Sequence, residues 1–467
     1  MEYMSFEEIV NAVNGKVILK GIYNGFNKVN SDTREIEEKD IFIALKGEKF
    51  NGNNYVKQAS EKGASICIVD EVKYVESEIK NTTTIIQVEN TRKALLDLAE
   101  FYRSILDLKV IGITGSVGKT STKDLVAAAL SSKFKVFKTE GNFNNEIGLP
   151  KMIFKLDNSY DIAVLEMGMN GLGEIHNMAK AARPDIAIIT NVGTAHIGKL
   201  KSRENILKAK MEITDFFSEK NTLIINIDND MLSKVTSDSY KIRKVSIKEK
   251  SNISAFNIKL MEDSVEFYIK ENNRITEEKI TAQVPGKHSV LNCLFAVMAG
   301  RIFNMSYDEI RRGLLNLKTT KMRLETIKGK RFTIINDSYN ANPDSMIAAI
   351  DVLANLKGKK KIAILGTMNE LGENSGEFHR KVGRYACEKN VDFLVALGKY
   401  TEDYKAGFES FHTSKNRGKV LTFKDYDSAV DFLLKNCLSK GDVVLVKASR
   451  SMKFEDIVSK LKESINN

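Results

Sequence analysis

The sequence predicts an α/β protein of about three domains, built on mostly parallel sheets. Three observations predict it. The chain has 467 residues, roughly three ordinary domains. Short runs of consecutive apolar residues alternate with helical stretches, and strands buried on both faces need such runs. A glycine-rich turn, "TGSVGKT", stands between one such strand and one such helix.

Taken in order, "ASICIVD" (64–70) and "TIIQV" (84–88) read as strands of a first unit. A helix, "TRKALLDLAEFYRSIL", follows and leads to the strand "KVIGIT" (109–114). The turn from Gly115 to Thr120 comes next, with the helix "TKDLVAAALSSKF" beyond it. "DIAVLEM", "DIAIITNV" and "TLIINI" continue the strand series, and "HSVLNCLFAVMAGRIF" is a helix. "KIAILG", "DFLVALG" and "DVVLVKA" form a last series. Strands alternating with helices argue for parallel sheets joined by helical crossovers. No internal repeat or low-complexity linker marks the boundaries. One cut is placed after "IIQVEN", and another near "LLNLKTTKMRLE", where a helical region gives way to new strands.

Composition narrows the function classes. At 42% hydrophobic residues, each domain can bury an ordinary core. No apolar run reaches the ~18 residues of a membrane span, and "MEYMSFEEIV" lacks the basic-then-apolar order of a signal peptide. The four cysteines lie far apart and form no C-x-x-C pair, which indicates neither a zinc site nor a disulfide framework. The chain therefore reads as cytoplasmic. Its net charge of +10 comes from scattered lysines, dense only at "KGKKKIAIL". With no nucleic-acid module beside it, that charge reads as a solvated surface, and neither nucleic acid nor membrane is expected as a partner.

The turn carries the first chemical signal. G-x-x-x-x-G-K-[ST] requires glycine five positions before Gly118, and Ile113 stands there. Yet the strand–turn–helix context is that of a phosphate loop. Backbone N–H groups and the helix N-terminus face an anion, and glycine lets the backbone approach it. Gly115, Ser116, Val117, Gly118, Lys119, Thr120 and Ser121 are the candidate nucleotide contacts. Lys119 would reach the β- and γ-phosphates, and Thr120 would offer its hydroxyl to Mg²⁺. A plain glycine-rich turn is the competing reading.

Other polar residues stand at strand ends, where ligands of doubly wound sheets bind. Glu166 ends "DIAVLEM", and a carboxylate there suits Mg²⁺. Asn191 and His196 follow "DIAIITNV". Three further polar loops, "NDSYNANPDSM" (336–346), "LGTMNELGENSGEFH" and "VKASRSMKFE", follow strands in the last third of the chain and suggest one binding face.

The shortened loop T-G-x-x-G-K-[ST] resembles that of the Mur ligase family, which joins a carboxylate to an amine using ATP. "GNFNNEIGLP", "LEMGMNGLGEI", "NVGTAHIGKL", "PGKHSVLNCLFA", "NDSYNANPDSM", "LGTMNELGENSGEFHRKVG" and "VLVKASRSM" are similar to its motifs, in order. "SDTREIEEKDIFIALKGEKFNGNNY" matches more loosely. "DSYNANP" and the lack of Asp-Asn-Pro-Arg point to the branch that adds D-alanyl-D-alanine to UDP-MurNAc-tripeptide.

The resemblance implies three domains. A smaller N-terminal α/β domain (1–88) would bind the UDP-sugar. A central P-loop domain (89–320) with a mostly parallel sheet would bind ATP. A Rossmann-like ligase domain (321–467) would complete the chain. It further implies ATP and two Mg²⁺ ions as cofactors, UDP-MurNAc-tripeptide and D-Ala-D-Ala as substrates, and a monomer. Glu166, His196 and Lys210 are implied with Thr120 as metal ligands, Lys210 aligning with a lysine that is carbamylated in several members. Lys119, His196 and Lys210 are the implied catalytic set. Asn292 is implied at the adenine, and Arg323, Asp337, Tyr339 and Asn342 around the ribose and phosphates. Ser31, Thr33, Arg34, Lys46, Gly47 and Glu48 are implied at the UDP-sugar, and Asn142, Asn144 and Asn145 near the reacting carboxylate. The chain departs from the family at Thr367 (commonly Asp), Ala448 (commonly Gly) and "NGN" 51–53 (Asp-Gly-His). A Mur-type ligase for another amine, or a P-loop kinase or ATPase, are the alternative readings.

Overall fold

The computed structural model describes residues 1–22, 25–412 and 418–466. The strands within them form three sheets, in chain order. The first holds β1 (Lys16–Leu19), β2 (Val29–Asn30), β3 (Ile41–Ile43), β4 (Ile66–Val69) and β5 (Thr84–Gln87), ordered β1-β5-β4-β3-β2. Only the β1–β5 pair is antiparallel.

The second sheet begins with β6 (Lys109–Thr114), β7 (Val136–Lys138), β8 (Ile162–Glu166), β9 (Ile186–Ile189), β10 (Thr222–Asn226) and β11 (Lys241–Ser246). It continues through β12 (Ile253–Leu260), β13 (Val265–Glu271) and β14 (Arg274–Ala282). Its order is β14-β13-β12-β11-β10-β9-β6-β8-β7. From β7 to β12 every pairing is parallel; β12, β13 and β14 pair antiparallel. The third sheet comprises β15 (Glu325–Lys328), β16 (Phe332–Asn336), β17 (Lys361–Leu365), β18 (Phe393–Leu397), β19 (Lys419–Phe423) and β20 (Asp442–Lys447). Its order is β15-β16-β20-β17-β18-β19, with only β15 antiparallel.

The nine apolar runs read as strands are all strands, and the expected three-part α/β architecture with mostly parallel sheets is present. Their consecutive apolar residues have a visible cause. Every residue of β8, β9 and β10 is buried, because helices cover both faces. Helix Lys119–Leu130 packs with Lys287–Ile302 on one face of the second sheet, while Thr91–Ser104 packs with Glu174–Ala182 on the other. The β12–β14 wing was not legible as such. Its strands alternate buried and half-buried residues, as at Val265–Glu271, and carry charges on the more open face.

This topology positions the site. β6 lies between β9 and β8, so chain segments leaving β6, β8 and β9 emerge side by side at their carboxyl ends. In the third sheet β16, β20 and β17 are neighbours, so the loops after them also converge. These two strand-end clusters face each other across one cavity.

Candidate active site

The loop after β6 is held by close backbone contacts. Ser116 N–H donates to the Asn191 carbonyl (3.1 Å) and Val117 N–H to the Asn191 side chain (2.8 Å). Thr190 Oγ1 donates to the Val117 carbonyl (2.6 Å), and Gly193 N–H to Ser116 Oγ (2.9 Å). The loop thus lies against the segment after β9, and a Cβ at Gly115 would stand 1.8 Å from Thr190 Oγ1. Gly118, the N-cap of the following helix, has φ +86°, which side chains rarely adopt. These two glycines let a loop shorter than the common spelling turn directly into the helix. That helix begins at Lys119, three residues before the sequence reading placed it. Its first N–H groups lack intrahelical acceptors and form an anion site.

Glu166, only 2% exposed at the end of β8, accepts hydrogen bonds from Thr120 Oγ1 (2.9 Å) and Asn144 Nδ2 (2.8 Å). Arg323 donates to the same Thr120 hydroxyl at 3.1 Å. Its guanidinium lies 4.1 Å from the Tyr339 ring centroid, and its buried Nε has no protein acceptor. An unpaired guanidinium N–H on a residue that lines a cavity suits a phosphate oxygen. Lys119 donates to the Gly115 carbonyl. Burial lowers its pKa; the charge of Glu166 opposes that shift and Arg323 adds to it.

The third sheet supplies the facing wall. Asn342 caps the helix Pro343–Asn355 and extends its amide toward the Ser116 carbonyl (3.4 Å). Asp337 and Lys447 form a buried ion pair (2.5 Å), with Lys447 also donating to the Asn340 carbonyl. Burial lowers the Lys447 pKa and Asp337 opposes that shift. Asp344 accepts from Thr194 N–H at 3.0 Å, across the two sheets. His196, in left-handed conformation (φ +64°), places Nδ1 2.6 Å from Glu370 Oε2, off the line of a hydrogen bond. His196 beside it holds the Glu370 carboxyl below its usual range.

The cavity between these walls measures about 390 Å³. Among the candidates named from the sequence, Ser116 through Ser121, Asn142, Asn144, Asn145, Glu166, His196, Asn292, Arg323, Asp337, Tyr339 and Asn342 line it. Gly115, the first residue of the loop, does not line it. Lys210 does not line the cavity. It sits 1% exposed on helix Arg203–Met211, and burial, with the nearby charge of Lys119 adding, drives its pKa far down.

The UDP-sugar candidates stand apart, on the first sheet. Thr33 Oγ1 donates to Gln58 (2.7 Å), and Arg34 forks onto Asp32, holding that carboxyl at about 2. Lys46 pairs with Glu71 (2.6 Å) and Asp70 (3.3 Å). Ser31, Gly47 and Glu48 lie in the same two loops, and none of the six lines the cavity. At the departures, Asn53 is fully buried and bonded to Asn51 and Asp70, Thr367 Oγ1 accepts from Lys399 N–H, and Ala448 is buried.

The sequence reading did not single out His288, Asp344, Glu370 or Asp124. His288 had a usable signal: it stands four residues before Asn292 on one helix face, and both line the cavity. Glu370 and Asp344 had none, since their partners lie on a different sheet.

A hydroxyl and a carboxylate 2.9 Å apart at a phosphate loop are the oxygen donors Mg²⁺ takes, with phosphate oxygens and water completing the set. Among the described residues no three His, Cys, Asp or Glu side chains form a cluster sufficient by themselves. The site therefore fits a metal that arrives with a phosphate ligand.

The comparisons with known proteins cover the same three parts. Residues 26–103 match the Mur ligase family catalytic domain, 113–300 the Mur ligase middle domain, and 322–450 the Mur ligase glutamate ligase domain. The chain is 39% identical over 450 residues to the UDP-N-acetylmuramoyl-tripeptide–D-alanyl-D-alanine ligase of Bacillus subtilis, covering 93% of each. It is 32% identical to the enzyme of that name from Escherichia coli, covering 99% of each. Among solved structures, MurF from Acinetobacter baumannii superposes with a TM-score of 0.90 at 30% identity, covering 99% of each chain. MurF ligase from Thermotoga maritima in complex with ADP gives 0.83 at 28%, covering 94% of this chain and 98% of that one. With three domains matched in order and near-complete coverage at such identity, the chain belongs to the Mur ligase family.

Proposed function

We infer that this chain joins D-alanyl-D-alanine to UDP-MurNAc-tripeptide, converting ATP to ADP and phosphate, in the cytoplasmic assembly of peptidoglycan precursors. The observation that carries the reading is the meeting of two sheets at one phosphate loop. Arg323 reaches Thr120, and Asn342 reaches Ser116. Full-length identity to ligases of that activity supports the substrates.

The chemistry follows from the leaving group. A carboxylate does not yield to an amine, because oxide is a poor leaving group. Transfer of the γ-phosphoryl group makes an acyl phosphate, which the amine attacks through a tetrahedral intermediate, expelling phosphate. Catalysis of the first step is mostly placement and charge compensation. Lys119 and Arg323 offer positive charge to the phosphates, and the Ser116–Ser121 backbone holds them. Asn292 and His288 line the part of the cavity assigned to adenine, and Asp337, Tyr339 and Asn342 the part assigned to ribose and phosphates. Asn142, Asn144 and Asn145 orient the reacting carboxylate. Thr120, Glu166, His196 and a carbamylated Lys210 are the proposed Mg²⁺ ligands; bound there, the ion would neutralise charge on the phosphate and carboxylate oxygens. A lysine driven toward the neutral amine by burial is the form that reacts with CO₂.

The amine must itself be neutral to attack. With a reference pKa of about 7.7 to 8.0, a substantial minority is so near pH 7. Facing walls from two sheets exclude water from the acyl phosphate. The first sheet, with Ser31, Thr33, Arg34, Lys46, Gly47 and Glu48, is assigned to the UDP-sugar, and the boundaries 1–88, 89–320 and 321–467 divide these tasks. A monomer is the proposed state. Among the described residues no helix is long and apolar enough to cross a membrane.

An amine panel tests the substrate. With ATP and UDP-MurNAc-tripeptide present, D-Ala-D-Ala supports ADP formation far better than meso-diaminopimelate, L-lysine or L-glutamate. Equal turnover with any of these three moves the chain to a different Mur-type ligase.

A further inference from the structure

We propose that Asp124 is a positioning residue that, through Thr320, sets where the Arg323 guanidinium stands above Thr120. The proposal rests on the ATP reading of the cavity, whose lining includes both Asp124 and Thr320, and gives Asp124 a positioning role there.

Residues 316–324 form the strap between helix Tyr307–Leu315 and β15. Asp124, 3% exposed, accepts both the backbone N–H (3.0 Å) and the hydroxyl (2.7 Å) of Thr320 on one carboxylate oxygen. Its other oxygen takes Lys138 at 2.6 Å, with Lys123 at 3.5 Å. The carboxylate is therefore fully committed, and one half of it is given to the strap.

The spacing explains the purpose. Thr120 and Asp124 are four residues apart on one helix and so share a face. Arg323 and Thr320 are three residues apart on the strap. The strap runs back along that helix face and clasps it at both points, Thr320 on Asp124 and Arg323 on Thr120. Arg323 is also fixed from the third-sheet side. Its neighbours Met322 (φ +62°) and Leu324 (φ +50°) hold conformations that L-residues rarely adopt. Glu325 accepts the Met322 N–H and Asp337 the Leu324 N–H, each at 3.1 Å. This rigid turn presents the guanidinium, and the Asp124–Thr320 clasp registers the turn against the phosphate loop. A long arginine whose backbone were free to swing would lose that register.

Coupling is the readout that a merely structural aspartate would not give. ADP affinity of the full chain is measured by calorimetry for the parent, Asp124→Asn, Arg323→Ala and the double variant, with thermal melting as a fold control. Asp124→Asn weakens ADP roughly tenfold, the factor that corresponds to about 1.4 kcal/mol. In the Arg323→Ala background the same substitution changes affinity less than about twofold, because the group it positions is gone. KM for the amine stays unchanged. If Asp124→Asn does not fold, Thr320→Val takes its place in the cycle, with a loss of roughly threefold from the missing hydroxyl bond. Fully additive losses, or variants that bind ADP as the parent does, overturn the proposal alone. A parent that does not bind ADP removes the reading of the cavity, and the proposal with it.

Discussion

The ammonium of Lys119 donates a hydrogen bond to the carbonyl of Gly115, four residues behind it, at 2.9 Å. The lysine thus closes the loop on itself and stands ready where the phosphates are assigned. Lys119→Ala removes the charge proposed to meet the transferring phosphoryl group. Turnover falls by roughly a hundredfold or more while the melting temperature stays near that of the parent. Near-normal turnover would mean that the loop does not act on phosphate.

Lys210 is the sharper test of the metal site. It is buried beside the positive charge of Lys119, an environment that disfavours an ammonium and favours an anionic carbamate. Lys210→Ala lowers activity strongly, and added formate or acetate restores part of it by occupying the carboxylate position. Mass spectrometry of the parent under bicarbonate shows the added carboxylate mass. Full activity in Lys210→Ala sinks the carbamate assignment.

His379 carries a pH dependence of stability. The ring is fully buried, Nε2 accepts the Met368 N–H (2.9 Å), and Nδ1 faces the Ser375 carbonyl (2.6 Å). That arrangement requires the neutral imidazole, and burial lowers its pKa below the usual 6.5. The unfolded chain therefore binds the proton first. Its contribution is fully present above about pH 6.5 and is lost as pH falls below it. His288, also lowered by burial, acts in the same direction. Denaturant midpoints fall between pH 7 and pH 5, and less steeply in His379→Gln. An unchanged slope in that variant would remove His379 from the account.

Much of the fold was legible because the buried parallel strands, such as Ile186–Ile189, are continuous apolar runs, and no other element of that length needs them. The lining of the candidate site was legible at Lys119, Thr120, Glu166 and Asn342, each marked by a strand end or a helix start. What stayed hidden depends on contacts between distant segments. Nothing near Asp124 in sequence announces Thr320, which a strap after helix Tyr307–Leu315 brings to it, and nothing near His196 announces Glu370, which meets it because two sheets face each other. The wing β12–β14 stayed hidden for a different reason. Its half-exposed strands alternate, and charges such as Glu277 and Lys279 interrupt the apolar signal.

The central claim is that the carboxylate is activated as an acyl phosphate at this loop before the amine attacks. The most direct measurement follows oxygen. UDP-MurNAc-tripeptide carrying heavy oxygen in its reacting carboxylate is incubated with ATP and D-Ala-D-Ala, and released phosphate and product are weighed by mass spectrometry. The account predicts that phosphate is released only when both substrates are present, that it carries one heavy oxygen per turnover, and that the product gains the mass of one D-Ala-D-Ala less one water containing heavy oxygen, keeping one heavy oxygen in the new amide. Phosphate released without either substrate, or released free of the label while the amide forms, would contradict it.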